Sequence, residues 1–128
     1  MRALETGALV KALLAGMSVN EALGGRIYPV VAEQKTPFPF LVYKRIGVAL
    51  EGDKDTYYRH GAVSVDLVVA GSSYSQSLGI ASAIVDAMPD HPIDLDGFDI
   101  SSIRLANAVE DFQDEAYIQT LTFNIEIN

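Results

Sequence analysis

The chain has no cysteine among its 128 residues, so disulfides and thiolate metal sites are excluded and the redox compartment is left open. It also lacks any Gly-x-Gly-x-x-Gly or Walker-type run, so a nucleotide phosphate finds no glycine-rich cradle. Basic residues are few: nine Lys and Arg stand against seventeen Asp and Glu, a formal net charge of −8. A protein that grips nucleic acid needs a basic face to displace counterions from phosphates, so this sign argues against tight DNA binding. It is compatible with DNA passing through a pore whose wall does not hold it, and with a surface that simply keeps the protein soluble. No apolar run approaches the ~20 residues that a membrane helix needs. The first helix carries Glu5 and Lys11 without a small-residue cleavage pattern, unlike a signal peptide. These absences lead us to expect a soluble protein, made and used in a cytoplasm, with no membrane partner.

What is present suits one globular domain over residues 1–128, with 49% hydrophobic and 20% charged residues and no internal repeat or linker. Ala3 to Ala15 reads as a helix with Val10, Leu13, Leu14 and Met17 at three- and four-residue spacing. Ser18 with Glu21 reads as the capping box of a short second helix, which Gly24 and Gly25 stop. Phe40 to Val48 reads as a strand, followed by a polar connection over Leu50 to Tyr58. Val63, Val65, Leu67 and Val69 alternate with more polar residues in the next strand. Ser73 with Gln76 caps a helix whose expected apolar face is Tyr74, Leu78, Ala81, Val85 and Met88, joined by Ile84. Pro89 ends it, and Asp90 to Gly97 reads as a polar crossover loop. Ile103 to Val109 has strand character, and Ala116 to Ile127 is the strongest strand, with Tyr117, Leu121, Phe123, Ile125 and Ile127 on one face.

This order, α-β-β-α-β-β, leads us to expect an α+β fold: an antiparallel sheet of about four strands with helices packed on one face. The expected core is Leu13, Val42, Val65, Leu67, Leu78, Val85, Leu121, Phe123 and Ile125.

Residues that carry chemistry are sparse. Gly71-Ser72-Ser73-Tyr74-Ser75 lacks the second glycine of a nucleophile elbow, and its serines suit a helix start. His91 with Asp90, Asp94 and Asp96 matches neither a zinc helix motif nor a calcium loop; with His60 isolated, no metal or cofactor is expected. Glu110, Asp111, Asp114 and Glu115 read as a solvated hairpin connection, since acid–base work needs a concave, partly apolar setting. The group Arg26, Tyr28, Tyr43, Lys44 and Arg45 is different. Arginine and tyrosine are enriched at protein interfaces because they combine contact area with directed hydrogen bonds. The alternative is that Tyr43 packs in the sheet while Lys44 and Arg45 are surface strand residues.

The stretch Gly24-Gly25-Arg26-Ile27-Tyr28-Pro29, followed by Thr36-Pro37-Phe38-Pro39-Phe40-Leu41-Val42-Tyr43-Lys44-Arg45, resembles the small tail-completion (tail-terminator) proteins of long-tailed phages and prophages. The resemblance implies a structural virion protein, not an enzyme, that ends the tail and joins it to the head as a homo-oligomeric ring, commonly six-fold. It implies a tail-tube protein and a head-completion protein as partners, DNA only in transit through the lumen, and assembly in the host cytoplasm. It carries over no catalytic residue. The contact residues expected are Arg26, Tyr28, Tyr43 and Arg45, with Asp53, Lys54 and Asp55 in the loop after the first long strand. A second reading, a ferredoxin-like ligand-binding domain or small enzyme, shares the element order but finds no nucleophile, metal set or cofactor cradle.

Overall fold

The computed structural model describes residues 2–51, 60–95 and 97–128. A 3-10 turn over Arg2–Glu5 leads into α1 (Thr6–Ala15) and the one-turn α2 (Val19–Ala22). Then come β1 (Ile27–Pro29), β2 (Phe40–Glu51), β3 (His60–Gly71), α3 (Tyr74–Ala87), β4 (Ile93–Leu95), β5 (Phe98–Gln113) and β6 (Ala116–Ile127).

The sheet corrects the expected architecture. It has six strands in the order β1-β2-β3-β6-β5-β4, and β1 runs parallel to β2 while the other pairs are antiparallel. It curls into a half-barrel with, among the described residues, three short α-helices that cover only part of it, in place of a four-stranded antiparallel sheet with helices packed over one face. The physical reasons are local. β1 and β4 have three residues each, too short for alternation to show against a turn-rich background. The segment expected as a polar crossover loop contains β4. The long strands, of twelve to sixteen residues, accumulate right-handed twist that bends the sheet. β5 carries register shifts between Ile100 and Ser102 and between Leu105 and Asn107, which add to that bending and conceal its length in the sequence.

The concave face buries Leu41 and Tyr43 of β2, Val63, Val65, Leu67 and Val69 of β3, and Leu121, Phe123, Ile125 and Ile127 of β6 against Leu9, Val10, Leu13 and Leu14 of α1 and Ile80 and Ile84 of α3. Seven of the nine expected core residues join or touch this cluster; Val42 and Leu78 do not. Val42 alternates with buried Leu41 and Tyr43 and so faces the other way, level with Tyr28 and Val68. Leu78 is displaced because α3 buries Ser77 and Ile80 together with the expected Ala81 and Ile84, which turns Leu78 to the edge of the buried face. Close approach selects that face: a Cβ on Gly71 would lie 2.9 Å from the Ser77 backbone nitrogen, so small residues must meet the end of β3.

The cap of α3 forms as the sequence suggests. Ser73 Oγ accepts from the Gln76 N–H at 3.1 Å, and the Gln76 side chain accepts from the Ser72 N–H at 2.7 Å. Ser18 makes no such side-chain bond, so that capping box is corrected. Gly24 and Gly25 do end the helical region, with φ of 61° and 73°.

Candidate functional site

The helices are too few to cover the sheet, and what they leave bare defines the candidate surface. From Arg104 to Gln113 every residue of β5 is exposed, including Leu105 at 43%, Val109 at 54% and Phe112 at 58%. Large apolar side chains in that state mark a contact surface when they cluster.

They do cluster. Leu105, Ala108, Glu110 and Phe112 pair with Phe123, Leu121, Gln119 and Tyr117 on β6 and share the side of the sheet that faces α3. On α3, Tyr74 and Leu78 of the stripe expected in the core look out over this area, whereas Ala81 and Ile84 are buried as expected. Leu78, Ala81 and Val85 line a groove of about 250 Å³ with Leu105, Ala108 and Leu121. Its polar end is fixed by Glu110, whose Oε2 accepts from the Tyr74 hydroxyl at 2.9 Å and from Gln119 Nε2 at 3.2 Å. The hydrogen bond to Glu110, and then its charge, raise the Tyr74 pKa above the ordinary tyrosine value. Tyr117 ties the end together, its ring 4.8 Å from that of Phe112 and 6.5 Å, edge-on, from that of Tyr74. The carboxylate here organises a surface of aromatic and aliphatic side chains and has no nucleophile beside it.

Both edges of the sheet are open over part of their length. Among the described residues β4 pairs with β5 only at Phe98–Ile100, so the outer edge of β5 from Ser101 onward has no strand beside it. On the other side, among the described residues, β1 pairs with β2 only at Leu41–Tyr43, and no described strand lies beside Lys44–Glu51. An open edge presents unpaired N–H and C=O groups to any strand that can reach them.

Of the contact residues expected from sequence, Arg26 serves the fold: Nε donates to the Pro39 carbonyl at 2.9 Å and Nη2 to that of Phe38 at 3.4 Å. Tyr28 is half-buried on β1. Tyr43 is buried against the helices, and burial raises its pKa. Arg45 is exposed, its Nη1 donating to the Leu4 carbonyl at 2.8 Å. Lys44 is exposed on the neighbouring position. Asp53, Lys54 and Asp55 lie outside the described residues. Arg26 and Tyr28 sit at β1, whereas Lys44 and Arg45 begin the open edge of β2, so the expected set falls into two groups. Among the described residues no three His, Asp or Glu side chains come together as a metal site.

Sequence reasoning missed Leu105, Val109 and Phe112 as a surface, and it missed Val30, Val31 and Phe38. The two valines are exposed at a turn in which Val30 has φ of 66°, a strained conformation for a β-branched residue. The Val31 N–H closes it on the Pro29 carbonyl at 2.7 Å. Phe38 stacks on Phe40 with centroids 5.7 Å apart. Only the prolines and aromatics of this segment announce it in the sequence.

No curated protein sequence matches the chain. Among solved structures, a chain of the "Virion of native gene transfer agent (GTA) particle" shares the fold, with a TM-score of 0.73 at 17% identity over 90% of this chain and 88% of that one. A family model described as "Tail completion protein gp17" matches residues 7–127. That span takes in the whole sheet, its two open edges and the groove, and the chain belongs to this tail-completion family.

Proposed function

We propose that copies of this chain form a ring, six-fold as the family resemblance implies, that terminates the phage tail and joins it to the head. Family membership makes the chain a structural part of the tail; ring and joining are the further step. The observation that carries it is the pair of unlike open edges, β5 from Ser101 on one side and β2 from Lys44 on the other. Two different surfaces on opposite sides of a subunit favour head-to-tail association, which gives a closed ring when the rotation closes.

The partners fitting this reading are a tail-tube protein below the ring and a head-completion protein above it, with assembly in the host cytoplasm. Exposed apolar groups at Val30, Val31 and Phe38 and in the α3 groove are the surfaces they would use. Arg45 and the segment with Asp53, Lys54 and Asp55 fall at or after the open part of β2, so we assign them to contacts between copies. Arg26 and Tyr28 shape the β1 side of that contact. A net charge of −8 suits a lumen that DNA crosses without being held, because a lysine- and arginine-lined channel would bind phosphate and slow transit.

The test is made on particles. Without this protein, tails should be of irregular length and remain unjoined to heads, and supplying it should restore both. Normal tails joined to heads in its absence would overturn the reading.

A further inference from the structure

The two open edges match each other in more than position. In the sheet, β2 and β6 flank β3 and run in the same direction, and β5 runs opposite to both. Copies related by rotation about an axis along the sheet wall keep that sense, so β5 of one copy meets β2 of the next antiparallel. Side-chain alternation then restricts the register, since a slip of one residue turns every side chain to the wrong face.

Lys44 pairs with Asp66, whose carboxylate accepts from Thr122 at 2.6 Å on the face away from the core. Asp111, paired with Ile118, lies on that same outer face, one residue from Glu110, which faces the helices with Gln119. Arg45, paired with buried Val65, faces the helices too. An antiparallel register with Lys44 opposite Asp111 therefore also sets Arg45 opposite Glu110. Both pairs are of opposite charge and both keep their faces. The next residue, exposed Ile46, sits at a register shift of β2 between Arg45 and Gly47 and falls opposite exposed Val109. Opposite charges directly across a pair stabilise it and like charges do the reverse, so this register is favoured over its neighbours. Among the described residues Glu110 accepts from Tyr74 and Gln119 on Oε2 and Arg45 uses Nη1 on Leu4, which leaves Oε1 and the other guanidinium donors for a second partner.

We infer that the occupant of the β5 edge is β2 of a second copy of this chain, joined antiparallel with Lys44 opposite Asp111, Arg45 opposite Glu110 and Ile46 opposite Val109. The sheet thus continues from subunit to subunit. This inference rests on the ring reading and adds the contact that builds the ring.

The absence of cysteine makes the test clean. Ile46→Cys and Val109→Cys introduce two thiols that are three strand spacings apart within one copy, about 14 Å along the sheet. A disulfide needs Cα atoms about 4.4–6.8 Å apart, so any bridge joins two copies. The double variant is oxidised both as concentrated protein and within assembled particles, then run denatured without reductant. The expected result is a ladder ending at the ring size in at least one setting, with the two single variants mixed together giving dimers and each alone giving none. Dimers from Val109→Cys alone would show β5 pairing with its own copy and would overturn the proposal. Rings visible in particles without a ladder would overturn the edge pairing and leave the ring reading standing; absence of any multimer in both settings would overturn both. A charge exchange checks the register independently. Lys44→Asp should lower the ladder yield severalfold, and adding Asp111→Lys should restore it, both variants keeping the wild-type circular dichroism; failure of the second change to restore it would overturn the register.

Discussion

Arg26 reaches across thirteen residues to hold Pro39, its Nε donating to that carbonyl at 2.9 Å. The bond spans the whole turn-rich segment between β1 and β2, so one side chain sets where the first long strand begins. Charge-assisted hydrogen bonds contribute about 1.5–3 kcal/mol when well enclosed. This one is half-exposed, and Arg26→Ala should cost about 1–2 kcal/mol by denaturant unfolding. Lys should not rescue it, because an ammonium cannot copy the guanidinium's paired, planar donors.

Gly24 depends on the same arginine. A Cβ there would lie 2.6 Å from Arg26 Nη1, on a backbone already at φ of 61°. Gly24→Ala should therefore lose about 1–2 kcal/mol to the left-handed conformation and displace the guanidinium from the Phe38 and Pro39 carbonyls. Gly25→Ala, with φ of 73° and open space around it, should show the backbone cost alone. A double-mutant cycle of Gly24→Ala with Arg26→Ala separates the two effects: coupling is expected at position 24 and none at 25.

The core and the groove respond differently to truncation. Phe123 is 2% exposed, and Phe123→Ala should cost about 3–5 kcal/mol. Leu78 is 40% exposed at the groove, so Leu78→Ala should cost under about 1 kcal/mol. Equal losses at the two positions would refute the assignment of the α3 faces. On particles the order should reverse in kind, with folded Leu78→Asp failing in assembly.

Tyr74 gives a pH signature. Its hydroxyl donates to Glu110, which raises its folded pKa above 10.0. A group raised in the folded state contributes stability that is complete below the unfolded pKa and is lost as pH rises through the folded one. Wild type and Tyr74→Phe should thus differ in thermal midpoint by a constant amount up to about pH 10, and the difference should close above it. Tyr43, raised by burial, titrates in both proteins and cancels in the comparison. A difference that persists undiminished at alkaline pH would mean that the Glu110 bond is not what holds Tyr74.

Long, strictly alternating segments could be read before folding. β6 occupies Ala116–Ile127 as its pattern indicates, and the buried side of β3 is Val63, Val65, Leu67 and Val69. The family was legible too, from the glycine pair, the Ile-Tyr-Pro segment and the proline-flanked strand entrance. The sheet's true extent was not, because three-residue strands leave no periodic trace and a bulge breaks alternation in the middle of β5. The face of α3 was legible only in part. Ala81 and Ile84 are buried as expected, but hydrophobicity also favoured Tyr74 and Leu78, whereas the close approach of Gly71 to Ser77 turns that end of the helix the other way. The exposed run of β5 was unreadable in principle: alternation indicates which residues share a face, and only the tertiary fold determines whether anything covers it.

Unlike open edges have a consequence for mixtures of good and defective copies. A two-fold pair would use one edge twice and leave the other bare, whereas in the proposed ring each newcomer fills one vacancy and brings another until the circle closes. On that proposal, a copy whose β5 edge is dead would still be accepted through β2, but nothing could be added at its β5 side and the circle could not close. Such a copy acts as a chain terminator, and a minority of them co-produced with intact protein should suppress tail completion far out of proportion to their number.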